Sequence, residues 1–431
     1  MGRAILTINM VKERILLCLA HMSGKEQEFI KEAFDQNWVV PLGPNVNGFE
    51  KDIEAFVNKR VDAEPLHKRV VALSAGTAAV HLALIACGVG PGDEVLVQSF
   101  TFCASSHPVT YLGATPVFID SEPGSWNMDP ELLEEAIKDR IAQTGKKPKA
   151  IIPVALYGMP YKIDRIMEIA NRYEIPVIED AAEGFGSRFN GQVLGTFGKY
   201  GVLSFNGNKM ITTSGGGALI CPDEEAWRKV MWYATQARES YPYYQHESIG
   251  YNYRMSNICA GIGRGQMTVV DEHIAHHRHV QALYEEFLKD VNGITMHTNP
   301  NQEYDSNFWL CTATLDPDLR INGQENAYKQ VITGAVGGAA GVTHATSTAI
   351  TDCQPNDNVE ALRMALDAAN IESRPLWKPM HKQPVYKNAP AYTNGVSESL
   401  FKVGICLPAG PWVTDDHVRY IVEKIKENII M

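Results

Sequence analysis

Lys209 is the residue best suited to covalent chemistry. It lies just beyond the apolar run Val202-Leu203-Ser204-Phe205, in Asn206-Gly207-Asn208-Lys209, and a glycine run, Gly215-Gly216-Gly217, follows it. A lysine amine at the mouth of a buried strand can add to a carbonyl carbon. Asp180, in Glu179-Asp180-Ala181-Ala182-Glu183, follows apolar Val177-Ile178 in the same way. A third such junction, Ser74-Ala75-Gly76-Thr77-Ala78-Ala79, opens a helical stretch. Gly76 permits close backbone approach there, and the free N–H groups of a helix start suit a phosphate. Taken singly, each has an ordinary reading: a capped helix, an acid opening the next helix, a solvated lysine. Taken together they are the parts of a pyridoxal phosphate (PLP) site. The lysine supplies a Schiff base to the cofactor aldehyde, and the aspartate pairs with the pyridinium nitrogen and keeps the ring an electron sink. Asp180 and Lys209 are 29 residues apart, about one strand–helix–strand crossover.

The elements that must hold these residues alternate. Residues 70–74, 94–98, 115–120, 150–154, 176–179, 200–205 and 217–220 read as short apolar strands, and helical patterns fall at 77–87, 130–141 and 163–173. Asp129-Pro130 marks a helix start, Asp as N-cap and Pro in the first turn. Strands alternating with helices predict an α/β domain with a largely parallel sheet, in which ligands bind beyond the carboxyl ends of the strands. One long helix is expected over 258–289. Beyond it, a strand at 308–315 and helices at 359–369 and 415–426 read as a smaller α+β domain. The expected division is an N-terminal arm and large domain over 1–280, then a small domain over 281–431. Residues 15–19 read as a strand or docking arm, and Met10 is an alternative start that would make 1–9 an upstream extension.

Text distributed along most of the chain carries a resemblance, and it includes HMSGKEQEFIKEAFDQNWVVPLGPNVNGFE (21–50), SAGTAAVHLAL (74–84), QSFTFCAS (98–105), GATPVFID (113–120), VIEDAAEGFGS (177–187), SFNGNKMITTSGGG (204–217), GYNYRMSNICAGIG (250–263) and GICLPAG (404–410). In order and wording it resembles the DegT/DnrJ/EryC1/StrS sugar aminotransferases. The resemblance implies the aspartate aminotransferase-like fold type I of PLP enzymes, with a mostly parallel, seven-stranded-type sheet. It also implies roles by position. Lys209 is the Schiff-base lysine and Asp180 the pyridinium partner. Gly76, Thr77 and Ser204 take the phosphate, and Phe102 stacks on the cofactor. Asn252 sits where the family reaches into a neighbouring subunit's phosphate site, which implies a homodimer with shared active sites. Two departures stand out: SFNGNK and SGGG where the family more often has SFHxxK and GEGG, and Glu183, also placed at the cofactor, where His or Gln is commoner. Both resemble the subgroup acting on UDP-4-keto-6-deoxy-N-acetylglucosamine, with L-glutamate as amino donor. The stretch RPLWKPMHKQPVY (374–386) brings Arg374, Lys378, His381 and Lys382 together as partners for a substrate diphosphate; a basic surface loop is an equal reading.

Composition narrows the function classes. A net charge of −11 argues against general binding to nucleic acid or anionic membrane, since both need basic surface. No apolar run approaches a membrane span. The eight cysteines are scattered without a C-x-x-C pair, as expected of reduced thiols in the cytoplasm and not of a metal site. His273, His276, His277 and His279 imitate a metal cluster, but a polar helix face is the stronger reading. Gly88-Val89-Gly90-Pro91-Gly92 imitates a dinucleotide loop, yet a strand follows it, so a turn is expected. Residues 333–351, rich in Gly, Ala and Thr, read as a loop or insertion. Three other functions lack their sequence marks. A sugar dehydratase of the same family would carry His in place of Lys209, a dehydrogenase would need G-x-G-x-x-G opening a helix, and a non-catalytic PLP-binding regulator would bring a DNA-binding segment. The sequence supplies none of these.

Overall fold

The computed structural model of the protein describes residues 13–328 and 353–430. The stretch 333–351 and the start region 1–10 lie outside the described residues.

One sheet organises the larger part of the chain. Its strands are β1 (Arg69–Leu73), β2 (Glu94–Gln98), β3 (Thr115–Ile119), β4 (Ala150–Ile152), β5 (Ile178–Asp180), β6 (Tyr200–Ser204) and β7 (Gly217–Cys221). Their spatial order is β1-β7-β6-β5-β4-β2-β3, with β4 and β5 joined by the bridges Ile151↔Val177 and Val154↔Asp180. All neighbours run parallel except β7, which is antiparallel to both β1 and β6. The reversal has a local cause. A parallel return needs a crossover, usually a helix, and residues 205–216 between β6 and β7 contain none. That short connection carries Lys209.

Strand residues alternate between two buried faces. In β1, Val70 and Ala72 enter one core with Phe49 and Ile53, while Val71 and Leu73 enter the other with Leu82 and Leu84. Helices cover both faces, as a largely parallel sheet requires. Helix Gly76–Ala86 is buried from Ala78 through Leu84, so it is packed on every side. Asp129 caps helix Pro130–Thr144 by accepting from the N–H of Glu131 at 2.9 Å, as its sequence signature predicts.

The single helix expected over 258–289 is two helices, Asn257–Met267 and Val270–Leu288, separated at Thr268 and Val269. The first carries Gly263 and Gly265 against its neighbours. A Cβ on Gly263 would lie 2.6 Å from the Phe49 ring, and one on Gly265 2.8 Å from the Glu26 backbone nitrogen. Close packing against helices Glu26–Asp35 and Pro44–Val57 therefore sets the direction of the first helix, and the second turns away to a different core. Val270 and Ile274 pack in the large core, whereas Val280, Tyr284 and Leu288 pack in the small one, so position 280 falls inside a helix shared by both.

The smaller unit is an antiparallel sheet of Ile294–Met296, Cys311–Leu315, Gly404–Leu407 and Arg374–Pro375. Its middle strand starts three residues later than the sequence pattern predicts, because Phe308 takes a left-handed conformation, φ 49°. The N-terminal arm docks here: Ile15 N donates to Asn370 O and Ala409 N to Leu17 O. In return, Ala391–Tyr392 adds a parallel strand beside β3.

Candidate active site

A cavity of about 450 Å³ opens beyond the carboxyl ends of β1, β5 and β6. Gly76, Thr77, Phe102, Asp180, Glu183, Ser204 and Lys209 all line it. Asn252, Arg374, Lys378 and His381 do not.

The helix start forms one wall. Ala75, at the N-cap, is extended and no side chain caps the first turn, so the first N–H groups remain available to a ligand. Gly76 is there for contact: a Cβ on it would sit 3.2 Å from Ser204 Cβ. That approach sets the Ser204 hydroxyl beside the helix start.

Asp180 forms the floor. Its Oδ2 accepts from Ser105 Oγ at 2.6 Å and its Oδ1 from Ala182 N at 3.1 Å. Ser105 Oγ is also 2.8 Å from Thr101 Oγ1. An ionised carboxylate only accepts, so Ser105 donates to Asp180 and Thr101 donates to Ser105. Burial pushes the Asp180 carboxyl above its ordinary value, opposed by the Ser105 and Ala182 hydrogen bonds and by Lys209. A buried carboxylate in that condition favours a cationic partner.

Glu183 sits opposite. Its Oε2 accepts from Tyr157 N at 2.6 Å, and its Oε1 lies 3.5 Å from Lys209 Nζ. Burial raises its pKa, and Lys209 chiefly opposes the rise. Tyr157 aims its N–H from a left-handed conformation, φ 54°, a strain that persists only where neighbours over-determine it. Its hydroxyl accepts from Trp377 N at 2.7 Å. Lys209 Nζ also lies 4.0 Å from the centroid of the Trp309 ring. Phe102, half exposed, meets Trp377 at 5.4 Å between ring centroids.

Sequence patterns did not single out Ser105, Thr101, Tyr157, Trp309 or Trp377. Thr101, Ser105 and Trp377 stand inside quoted motifs, yet nothing in a linear pattern pairs Ser105 with a residue 75 positions away.

The remaining expectations place elsewhere. Asn252 lines a separate surface concavity with Val40 and Arg254, which shares Ser74 and Gly215 with the main cavity. Arg374 donates to Glu372 at 2.8 Å, Lys378 Nζ to Cys353 O at 3.0 Å, and Lys382 pairs with Glu398 at 2.8 Å. His381 Nδ1 lies 2.6 Å from Ser99 Oγ. The four histidines of 273–279 serve the fold: His273, His276 and His277 donate to backbone carbonyls of Met210, Val413 and Phe308, and His279 pairs with Asp415. Gly88 and Gly92 form a left-handed turn into β2.

The donor set fits PLP. The open helix start and Ser204 match a phosphate, Asp180 a protonated ring nitrogen, and Lys209 an aldehyde carbon.

Comparison with known proteins agrees. A profile of the DegT/DnrJ/EryC1/StrS aminotransferase family matches residues 21–325 and 324–426. The chain is 43% identical over 418 residues to EpsN of Bacillus subtilis (strain 168), whose name describes a pyridoxal phosphate-dependent aminotransferase, with 95% of each chain covered. It is 33% identical over 407 residues to a GDP-perosamine synthase of Escherichia coli O157:H7, covering 94% of this chain and 96% of that one. Among solved structures, a DegT DnrJ EryC1 StrS aminotransferase from Brucella abortus superposes with a TM-score of 0.78 at 27% identity, covering 94% of this chain and 95% of that one.

Proposed function

The chain belongs to the DegT/DnrJ/EryC1/StrS aminotransferase family, and we propose that, as a PLP-dependent sugar aminotransferase, it moves the amino group of L-glutamate to C4 of a nucleotide-linked 4-keto-6-deoxy sugar, UDP-2-acetamido-4-keto-2,6-dideoxyglucose. The observation that carries this reading is the convergence of Lys209, Asp180 and an uncapped helix start on one cavity.

PLP, when bound, supplies an aldehyde carbon and a protonated ring that withdraws electrons. The chain's own residues do the rest. The helix start at Gly76 and Thr77, with Ser204, holds the phosphate. Asp180, held ionised by Ser105 and Ala182, keeps the ring nitrogen protonated. Lys209 Nζ anchors the cofactor and, once freed, carries a proton to and from the reacting carbon. Glu183 Oε1, 3.5 Å away, balances the charge of that amine. Phe102 covers one side of the cavity and, with Trp377, limits access of water.

Three further elements belong to the proposal. Asn252 completes the phosphate site of a second copy in a homodimer, which accounts for its place outside its own cavity. Arg374, Lys378 and His381 receive the substrate diphosphate by exchanging Glu372, the Cys353 carbonyl and Ser99 for it. The protein works in the cytoplasm: its eight cysteines are all unpaired, as a reducing setting favours. Among the described residues no helix is long and apolar enough to cross a membrane.

GDP-4-keto-6-deoxymannose is the second reading, favoured by the name of the Escherichia coli relative. A panel of UDP-, GDP- and dTDP-linked 4-keto-6-deoxy sugars with glutamate, at equal subsaturating concentrations, separates the two. The expected result is preference for the UDP sugar, with no product from Lys209→Ala. Faster turnover of the GDP sugar would overturn the nucleotide and leave the aminotransfer standing. Buried groups shaped for one base and left unpaired by another can discriminate by roughly 10⁴ in kcat/KM, enough for an unambiguous ranking.

A further inference from the structure

We propose that Trp309, together with Glu183, is a cradle for the amine of Lys209 whenever that amine is not bonded to cofactor, and that it thereby sets how readily Lys209 gives the cofactor up. The proposal rests on the aminotransferase reading and makes Trp309 a positioning residue.

The geometry is specific. The indole centroid is 4.0 Å from Lys209 Nζ, and Glu183 Oε1 is 3.5 Å from it on a buried carboxylate. The lysine side chain is only 13% exposed, so both attractions act with little competition from water. A cation over an indole face gains most when it is desolvated, and Trp is the best of the aromatic partners.

The ring is also fixed relative to the amine. Trp309 Nε1 donates to Asn208 O at 2.6 Å, which ties the indole to the residue preceding Lys209. Its backbone N–H donates to Asn307 Oδ1 at 2.8 Å, while Asn307 Nδ2 donates to the carbonyls of Glu183 and Phe185, each at 2.9 Å. One asparagine therefore joins both walls of the cradle. Phe308, between Asn307 and Trp309, is left-handed, a conformation that costs free energy and persists because these bonds over-determine it.

Lys209 has two duties under the aminotransferase reading: anchor of the cofactor and, when released, carrier of protons. A contact made only by the released amine stabilises the released state alone and shifts the balance toward release. Weakening the cradle should therefore tighten the lysine's hold on the cofactor. Structural damage to the site would loosen it, so the sign of the effect tells the two apart.

The test uses Trp309→Leu and Trp309→Phe, prepared free of cofactor. Uptake of PLP is followed by visible absorbance, and the loaded proteins are then titrated with methylamine as a probe for release of the lysine. Trp309→Leu should take up PLP roughly tenfold more tightly and need roughly tenfold more methylamine to free Lys209, the ratio for losing a desolvated cation–indole contact. Trp309→Phe, with a weaker ring face, should shift both titrations less and in the same direction. If Trp309→Leu shows no cooperative thermal transition, the phenylalanine variant decides. Looser uptake in Trp309→Phe, or an unmoved methylamine titration, would overturn the cradle while leaving the aminotransferase reading in place. A parent protein that gains no visible absorbance with PLP would overturn both.

Discussion

Replacing Ser105 with alanine removes one hydroxyl from the floor of the cavity and little else. Ser105 is buried, so alanine leaves almost no space to fill. What disappears is the 2.6 Å hydrogen bond to Asp180 Oδ2, together with the 2.8 Å hydrogen bond that Ser105 accepts from Thr101. A hydrogen bond to a charged group contributes about 1.5–3 kcal/mol. At about 1.4 kcal/mol per factor of ten, that corresponds to roughly 10- to 150-fold in an equilibrium constant. The loss should appear in cofactor affinity more than in fold stability. Without cofactor, Asp180 can take a proton and relieve most of the cost. Its carboxyl is already raised by burial, so it lends stability at acid pH that fades as pH rises through its folded value. With cofactor bound, it must stay ionised to hold a protonated ring. Ser105→Ala should therefore weaken PLP binding by roughly 10- to 150-fold with a small change in the Tm of the cofactor-free protein. The pH dependence has a definite sign. Cofactor is lost as pH falls through the pKa of Asp180, and removing Ser105 raises that pKa, so the loss should begin at higher pH. Titration with PLP by visible absorbance across an acid pH series measures this. Asp180→Asn, neutral at every pH, serves as a control, with weak binding and no such acid limb. Ser105→Ala binding with the parent affinity throughout, or weakened equally at every pH, would refute the role given to this hydrogen bond.

Mixing Lys209→Ala with Asn252→Ala tests the shared site. A mixed dimer holds one site with both defects and one with neither, so turnover should partly recover; no recovery after demonstrated subunit exchange would sink the assignment. Acid stability tests the buried imidazoles. Burial pushes His277 down to about 3 and His297 to about 4, so both are neutral in the fold, while the unfolded chain binds protons as pH drops below about 6.5. Their contribution is full above that pH and falls by about 1.4 kcal/mol per pH unit per histidine below it. His297→Phe keeps an aromatic ring for the stack on Trp126, now at 3.7 Å, and should flatten the fall of Tm between pH 6 and about 4; a variant losing Tm as steeply as the parent would contradict it.

Local sequence patterns specify the strand–helix alternation and the chemistry of the strand ends. Apolar runs such as Glu94–Gln98 and the Asp129-Pro130 start appear at their expected positions because propensity, capping and hydrophobic period act over a few residues. Asp180, Lys209 and the Gly76 helix start are legible for a related reason, whereas Glu183 is placed at the cofactor only by the family resemblance. Residue types that do such chemistry are few, and the ends of buried strands are where an open sheet can use them. What those groups touch depends on contacts made across the fold. The break at Thr268 and the late start of the strand at Cys311 each depend on a partner distant in the chain or on a turn whose strain other contacts hold in place. Ser105 on Asp180, Tyr157 on Glu183 and Trp309 on Lys209 bridge separations of 75, 26 and 100 residues. Hydrogen bonds and ring contacts of that kind are short-ranged in space and indifferent to distance along the chain, so no local pattern records them until the sheet has brought its strand ends together.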